Sequence, residues 1–442
     1  MFLGIIAALI ALSVMVFVHE FFHLIVAKWS KMYAPVFSIG LGPKLFSFYK
    51  WGETEFRVSA IPFGGYVEIK GMDPEQMKGE EDEFYSKNVL QKTAVVFAGP
   101  LSNFALGFFI FLSIIIFNGI EVSPTTTIKE ANKESNLLPY DRIIEIDGKK
   151  ISNWYELTQK IQNNSDVTVI RNKIETKLTV DSLNTDSLIP FTPPVVGDII
   201  EDLPAEKAGI KKGNRILKIQ DKSIDSWDDI TSIVYPSAEE TLSIVYLNDK
   251  DTIKTSIVPE KQKNIEGNSI IDRGVIGILE PTTRITIGTS MAYNLALKQS
   301  WRTTRIIFDT FKWLFEKKIS PKELAGPVGI VVITKKSMER GFVSLLMLIG
   351  FITINLAMVN LLPIPPLDGF HIVMSLATFT SRKPPSKTLL KIVQTVGTII
   401  LLSLMALLLI NDIQRIYREK AKRQSQLSPP PKEITTESTE KK

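Results

Sequence analysis

Residues Leu12–Trp29 read LSVMVFVHEFFHLIVAKW, and they decide how the rest of the chain is understood. Two of the chain's three histidines fall here within five positions, with a glutamate between them, in a run otherwise suited to lipid. A charged side chain deep in a bilayer costs about 2.5–3.5 kcal/mol on insertion scales, so ionisable groups in such a setting usually carry function. In a helix, i and i+4 stand one turn apart on one face, so His19 and His23 can address one metal ion. Glu20 can then reach a water beside the metal without ligating it. This is the H-E-x-x-H arrangement of zinc proteases, in which the carboxylate serves as general base.

The apolar run continues on both sides of the motif, from Met1 to Ala27. Three further stretches, Thr93–Phe117, Phe342–Leu362 and Val393–Ile410, approach or exceed the length that spans a bilayer, about 20 residues. The first lacks a basic leader and a small-residue cleavage site and is expected to be retained. Lys28, Lys31, Lys44, Lys50 and Arg57 follow it; Arg382, Lys383, Lys387 and Lys391 lie between the last two. The positive-inside rule makes both segments cytoplasmic, with the intervening region and both termini outside. Arg415, Arg418, Lys420, Lys422 and Arg423 pull the other way and are given less weight than the first loop. Cysteine is absent, which excludes a disulfide framework. A net charge of +5 over 442 residues gives no reason to expect a nucleic-acid partner.

Between Ile120 and about Pro259 the pattern changes to short strands and polar turns. Asp141–Trp154 (DRIIEIDGKKISNW) matches Asn214–Trp227 (NRILKIQDKSIDSW) at an offset of 73 residues. Each copy predicts a strand, a turn, a second short strand and a tryptophan leading into an amphipathic helix. The pattern resembles tandem PDZ domains, with Ser182–Gly197 as the linker between them. The later segment with Trp301 and Trp313 at helical spacing suits a helix on the membrane surface, or an ordinary packed amphipathic helix. The Pro-rich C-terminal end is expected to be disordered.

Catalytic zinc normally takes three protein ligands and leaves one position open. The best candidate for the third is Asp368 in Asn360–His371 (NLLPIPPLDGFH). Prolines and glycine interrupt helical hydrogen bonding there at membrane depth, although a plain surface turn has the same composition.

HEFFH in the first span and N-x-x-P-x-P-x-L-D-G in the third resemble the site-2 protease family of intramembrane metalloproteases, over nearly the whole chain. The resemblance implies a zinc metalloendopeptidase with His19, His23 and Asp368 as zinc ligands and Glu20 as base. It implies that Asn360 and Pro365 help engage unwound substrate. Ile61–Gly71 resembles the family's membrane-reentrant β-hairpin loop, which puts Gly64, Gly65, Tyr66 and Val67 beside substrate; an exposed strand edge would hold an extended peptide by main-chain hydrogen bonds. FAGPLSN (Phe97–Asn103) and ELAGPVGI (Glu323–Ile330) look like family landmarks; Asn103 is explained by interhelical packing as readily as by catalysis. The family often has a second glycine after Asp-Gly, where this chain has Phe370. His371 is expected to support or pack rather than ligate.

The expected fold class is a multi-pass α-helical membrane protein: four transmembrane helices forming a membrane-embedded metalloprotease core, with two inserted PDZ-like mixed α/β domains. The division expected is 1–119 for the first two spans and the hairpin, 120–187 and 188–262 for the PDZ-like domains, and 263–340 for a membrane-surface segment. The last two spans then fill 341–412, and a disordered tail 413–442. The implied partners are the lipid bilayer and transmembrane protein substrates, namely an anti-sigma factor after a first cut and remnant signal peptides. The implied location is a cell inner membrane, with the PDZ-like domains periplasmic and the site toward the cytoplasm. Two rival functions stay open, a PDZ scaffold with a vestigial metal site and a metal transporter.

Overall fold

The structure is a computed structural model describing residues 2–427 except 74, 76, 133–134, 182–186, 267–268 and 382–385. Arg382 and Lys383 of the second basic loop, and the last residues of the expected tail, lie outside the described residues. The chain divides into two compact units, Met1–Asn118 with Gly288–Lys442, and Gly119–Ile287.

The first unit opens with helix α1 (Phe2–Trp29), which is apolar on every side apart from HEFFH and Lys28 in its last turn. Strands β1 (Val36–Trp51) and β2 (Thr54–Glu68) follow as an antiparallel hairpin. β2 bends back, so Phe37 lies opposite both Phe56 and Val67, and Ser38 opposite both Arg57 and Tyr66. The stretch Gly65–Glu68 thereby becomes an outer strand next to α1. Leu24, Ala34, Phe37 and Phe56 form the core that fastens the hairpin to that helix. Helix α2 (Val89–Asn118) comes next; Pro100 inside it removes one i→i−4 hydrogen bond.

In the second unit, residues Arg142–Ile146, Lys149–Lys150, Asp166–Arg171 and Ile174–Thr179 form a four-stranded antiparallel sheet, covered by α3 (Trp154–Lys160). Arg215–Ile219, Lys222–Ser223, Leu242–Asn248 and Asp251–Ile257 repeat the same strand order, with α4 (Pro204–Lys207) and α5 (Trp227–Val234). The sequence repeat is thus a structural repeat. Even the helix starts correspond: Asn153 accepts from the Glu156 N–H and Ser226 from the Asp229 N–H.

Two expected boundaries shift. The stretch read as a linker is partly core, because Leu188 is 7% exposed in the first hydrophobic cluster and Val196 1% exposed in the second. Ile189–Pro190 also pairs with Ile128–Glu130, which moves the end of the first module past residue 187. Strand structure then continues beyond residue 262. Glu260–Glu266 and Ser269–Val275 form a hairpin, Ile278–Leu279 pairs with Asp198–Ile199, and Thr283–Ile285 pairs with Ile120–Val122. Burial of Ile276 in the second core explains why this stretch belongs to the module rather than to a surface segment starting at 263.

The first unit resumes with α6 (Thr289–Phe315), α7 (Pro327–Glu339), α8 (Phe342–Asn360), α9 (Asp368–Ser381) and α10 (Lys387–Leu427). Helix α6 buries a stripe of small residues, Ala292, Ala296, Ser300 and Thr304, at the four-residue spacing that lets helices approach closely. Ala296 packs with Phe111 of α2 and Ile354 of α8, while Trp301 on the other side is 67% exposed. α9 was not foreseen. It occupies part of the stretch 341–412, between two of the apolar helices. α10 continues helical to Leu427, so residues 413–427 of the expected disordered tail are helix, and they are mostly good helix formers. The remainder of that tail lies outside the described residues.

Four helices among the described residues are long and apolar enough to cross a membrane: Gly4–Trp29, Val89–Asn118, Phe342–Asn360 and Lys387–Tyr417. Their outward side chains, such as Ile10, Phe109, Phe351 and Ile400, are exposed, which suits hydrocarbon rather than water.

Candidate metal centre

Helical spacing brings the two histidines of α1 together. Their Nε2 atoms stand 3.2 Å apart, and both rings are buried, at 4% and 6% exposure. Asp368, the first residue of α9, sends Oδ2 to 3.0 Å from His19 Nε2 and 3.4 Å from His23 Nε2. One donor atom from each of the three lies within 4.8 Å of the others. Residues 349 positions apart are joined here because the chain reverses in the short loop between α8 and α9. Gly369 makes that reversal possible: a Cβ on it would meet the Leu361 carbonyl oxygen at 2.2 Å.

Helix α2 supplies the floor. His23 Nδ1–H donates to the Val95 carbonyl at 2.7 Å, which fixes its tautomer and leaves the Nε2 lone pair free. Gly99, one turn on, has no side chain where the imidazoles converge. A Cβ there would lie 2.2 Å from His23 Nε2 and 2.7 Å from His19 Nε2. Asn103, a further turn on, places its carboxamide 3.2 Å from His19 Nδ1.

Glu20 takes no part in the three-atom cluster. Its Oε2 accepts from the Val67 N–H at 3.1 Å, on the outer edge of the hairpin. Gly65 lets that strand lie close to α1, since a Cβ on it would sit 3.1 Å from Val16 Cγ1 and 3.7 Å from Glu20 Cγ. Gly64 has φ of +91°, which glycine tolerates best. The Tyr66 hydroxyl accepts from Arg57. Asn360, at the end of α8, carries its Nδ2 to 3.2 Å from His19 Nε2. Pro365 lies instead against Gly397 of α10, not among the metal-facing atoms.

His371 is not part of the three-residue cluster. Its Nδ1 is 3.3 Å from the Tyr85 hydroxyl, and its ring packs near Phe84 and Phe370. Phe370 is buried with Ala27, Phe84 and Val95, filling core space where a glycine would leave a void.

Two imidazole nitrogens and a carboxylate oxygen form a donor set that suits zinc. The space kept beside both Nε2 atoms by Gly99 fits an ion as well. Sequence reasoning missed how much of this site α2 supplies. Gly99 and Asn103 are four residues apart, so they share a helix face, and that spacing was the available signal.

The profile of Peptidase family M50 matches residues 7–404. A zinc metalloprotease RasP from Oceanobacillus iheyensis is 28% identical over 456 residues, covering 93% of this chain and 99% of its own length. The regulator of sigma-E protease RseP from Salmonella typhimurium is 26% identical over 442 residues, covering 93% of this chain and 98% of its own. Among solved structures, a PDZ domain of an SdrC-like protein from Listeria monocytogenes aligns with 21% of this chain and 90% of its own. Its identity is 17% and its TM-score 0.17, an overlap that carries no argument here.

Proposed function

The chain belongs to peptidase family M50, and from that premise we propose that it is a zinc endopeptidase cutting transmembrane segments of single-pass proteins inside the bilayer. The observation that carries the proposal is the convergence of His19, His23 and Asp368, with Glu20 held alongside at a strand edge. In this reading the four apolar helices are transmembrane spans, and two PDZ-like modules stand between the second span and α6. The exposed Trp301, Phe308 and Phe315 of α6 support a lipid-facing side for that helix.

His19, His23 and Asp368 hold the metal. Zinc, when bound, supplies Lewis acidity that polarises the scissile carbonyl and brings the pKa of a ligating water to about 7. Glu20 takes the proton of the attacking water and returns it to the leaving nitrogen. A substrate segment, unwound from helix to strand, adds to the outer edge at Gly65–Val67, where the backbone hydrogen bonds it has lost are replaced. Asn360 brings a donor into the same space and holds a substrate carbonyl. Pro365 keeps the loop before α9 against α10.

The histidines lie in the second half of α1. His23 is about 9 Å along the axis from Trp29, taking about 1.5 Å per residue. Lys28 and Lys31 mark that end as cytoplasmic, so cleavage falls toward the cytoplasmic side. The relative's name, regulator of sigma-E protease, supports a membrane protein such as an anti-sigma factor as one substrate. Remnant signal peptides as another class, and an inner membrane whose outer side carries the PDZ-like modules, rest on the family resemblance alone.

The reading is tested by metal content. The purified full-length chain is expected to hold one zinc ion, and Asp368→Ala to lower zinc affinity by at least about 10²-fold, since losing a ligand exceeds the effect of losing an outer partner. A wild-type protein without zinc would leave a membrane-anchored scaffold as the better account.

The strand edge gives a separate expectation. Val67→Pro removes the N–H that holds Glu20 and a main-chain contact at the edge. Cleavage should fall about 10-fold or more, as an aligned charge-assisted hydrogen bond of about 1.5–3 kcal/mol is lost, while zinc content stays unchanged. Wild-type cleavage rates in Val67→Pro would remove the edge from the mechanism.

A further inference from the structure

His19 and His23 differ in what fixes their protons. His23 donates its Nδ1–H to the Val95 carbonyl, so in the neutral ring that can ligate a metal its Nε2 carries the lone pair. Among the described residues, no carbonyl accepts from His19 Nδ1 as Val95 does from His23. Its Nδ1 faces the side-chain amide of Asn103 at 3.2 Å, on the nitrogen Nδ2. Read in that orientation, Nδ2–H donates to Nδ1, and the imidazole proton is driven to Nε2, the atom that faces Asp368 and Asn360. A protonated Nε2 cannot ligate a metal. The same orientation leaves Asn103 Oδ1 fully buried with no hydrogen-bond partner.

The two ends of a carboxamide have nearly the same shape, and the hydrogen bonds around them decide which is which. Turned by 180°, Oδ1 accepts from His19 Nδ1–H. The orphaned oxygen gains a donor, and the Nε2 lone pair is released toward His23 Nε2 and Asp368 Oδ2. Asn103 is itself fully buried, and its backbone carbonyl accepts from Thr353 Oγ1 of α8 at 3.4 Å, which ties this position of α2 to α8.

Resting on the zinc reading above, we infer that Asn103 is a positioning residue: its Oδ1 holds His19 in the Nδ1–H tautomer and so makes His19 a metal ligand. Histidine ligands generally need such an outer acceptor, and its loss costs about 10–100-fold in metal affinity. Asn103 touches neither substrate nor the reacting atoms in this account. Its effect passes wholly through the imidazole.

The test measures zinc dissociation constants by competition with a fluorescent chelator, on the full-length chain in detergent, for wild type, Asn103→Leu and Asn103→Asp. Leucine keeps the volume and offers no acceptor; aspartate keeps the acceptor and loses the donor. Asn103→Leu is expected to bind zinc about 10–100-fold more weakly. Asn103→Asp is expected to bind at least as tightly as wild type, because a carboxylate beside a histidine ligand raises its basicity. Wild-type affinity in Asn103→Leu would overturn the inference. Equal losses in both variants would also overturn it, leaving Asn103 as a packing residue. Should Asn103→Leu fail to fold, Asn103→Asp decides alone: retained affinity supports an acceptor role, and lost affinity means that His19 needs a donor there. A wild-type chain that binds no zinc would overturn the metal reading itself and this inference with it, an outcome separate from the others.

Discussion

Exchanging Glu20 for glutamine is expected to lower cleavage of a transmembrane substrate about 10²–10⁴-fold, the range that a positioned general base contributes. Zinc content should not change. The geometry separates the two effects: the donor atoms that converge belong to His19, His23 and Asp368, while Glu20 Oε2 is engaged by the Val67 N–H. Glutamine has the same shape, and its carbonyl oxygen can still accept that hydrogen bond, so the hairpin edge and α1 keep their contact. What it lacks is the ability to take a proton. The measurement pairs metal analysis with single-turnover cleavage in detergent micelles, so that binding and chemistry are read apart. Cleavage at the wild-type rate would take the base role away from Glu20. Zinc lost together with activity would instead make Glu20 part of the metal-holding set.

The three residues of the proposed metal centre were legible in the sequence because each carries a signal of its own. His19 and His23 are one helical turn apart in an otherwise apolar run whose first eighteen residues carry no charged side chain, and the physics of a helix alone puts them on one face. Asp368 stands among prolines and a glycine at the end of an apolar run, where broken helical hydrogen bonding marks an unusual backbone. The 73-residue repeat was equally plain, since strand, turn, tryptophan and helix recur in order and both copies fold alike. Other parts of the site leave little trace. The Val95 carbonyl that orients His23 would be offered by any residue type at that position. Gly99 acts by having no side chain, and Asn103 by which end of its amide it turns to a ring. The hairpin of Glu260–Val275 was hidden for a different reason: its first strand, EKQKNIE, is almost wholly polar, so strand periodicity had no apolar partner to stand against. Short, local patterns were readable, whereas long-range pairing and backbone-mediated support were not.

The space over Gly99 gives the second large effect. Gly99→Ala is expected to weaken zinc binding by more than about 10²-fold, beyond the loss seen when an outer partner of a ligand is removed, and to abolish cleavage with it. An added methyl would stand 2.2 Å from His23 Nε2 and 2.7 Å from His19 Nε2, inside van der Waals contact with both. Neither ring can yield freely. His23 is tied by Nδ1–H to Val95, one turn back on the same helix, so any outward swing breaks a buried hydrogen bond costing about 1–3 kcal/mol. His19 is hemmed in by Asn103 and Asn360. Alanine favours helix over glycine by about 1 kcal/mol, so the secondary structure of α2 should persist or strengthen. The expected result is therefore a folded helix bundle that has lost its metal, read by circular dichroism beside zinc analysis. A Gly99→Ala protein with full zinc occupancy would mean that the ion does not sit between the two Nε2 atoms, and the three-residue centre would have to be redrawn. Gly107 offers an internal control: it is also a glycine of α2 in close contact, but with Ile354 of α8 rather than with the histidines. Gly107→Ala should cost stability through overpacking, about 1–3 kcal/mol, and leave zinc affinity where it was. A glycine needed for helix packing and a glycine needed for the metal can thus be told apart on one helix.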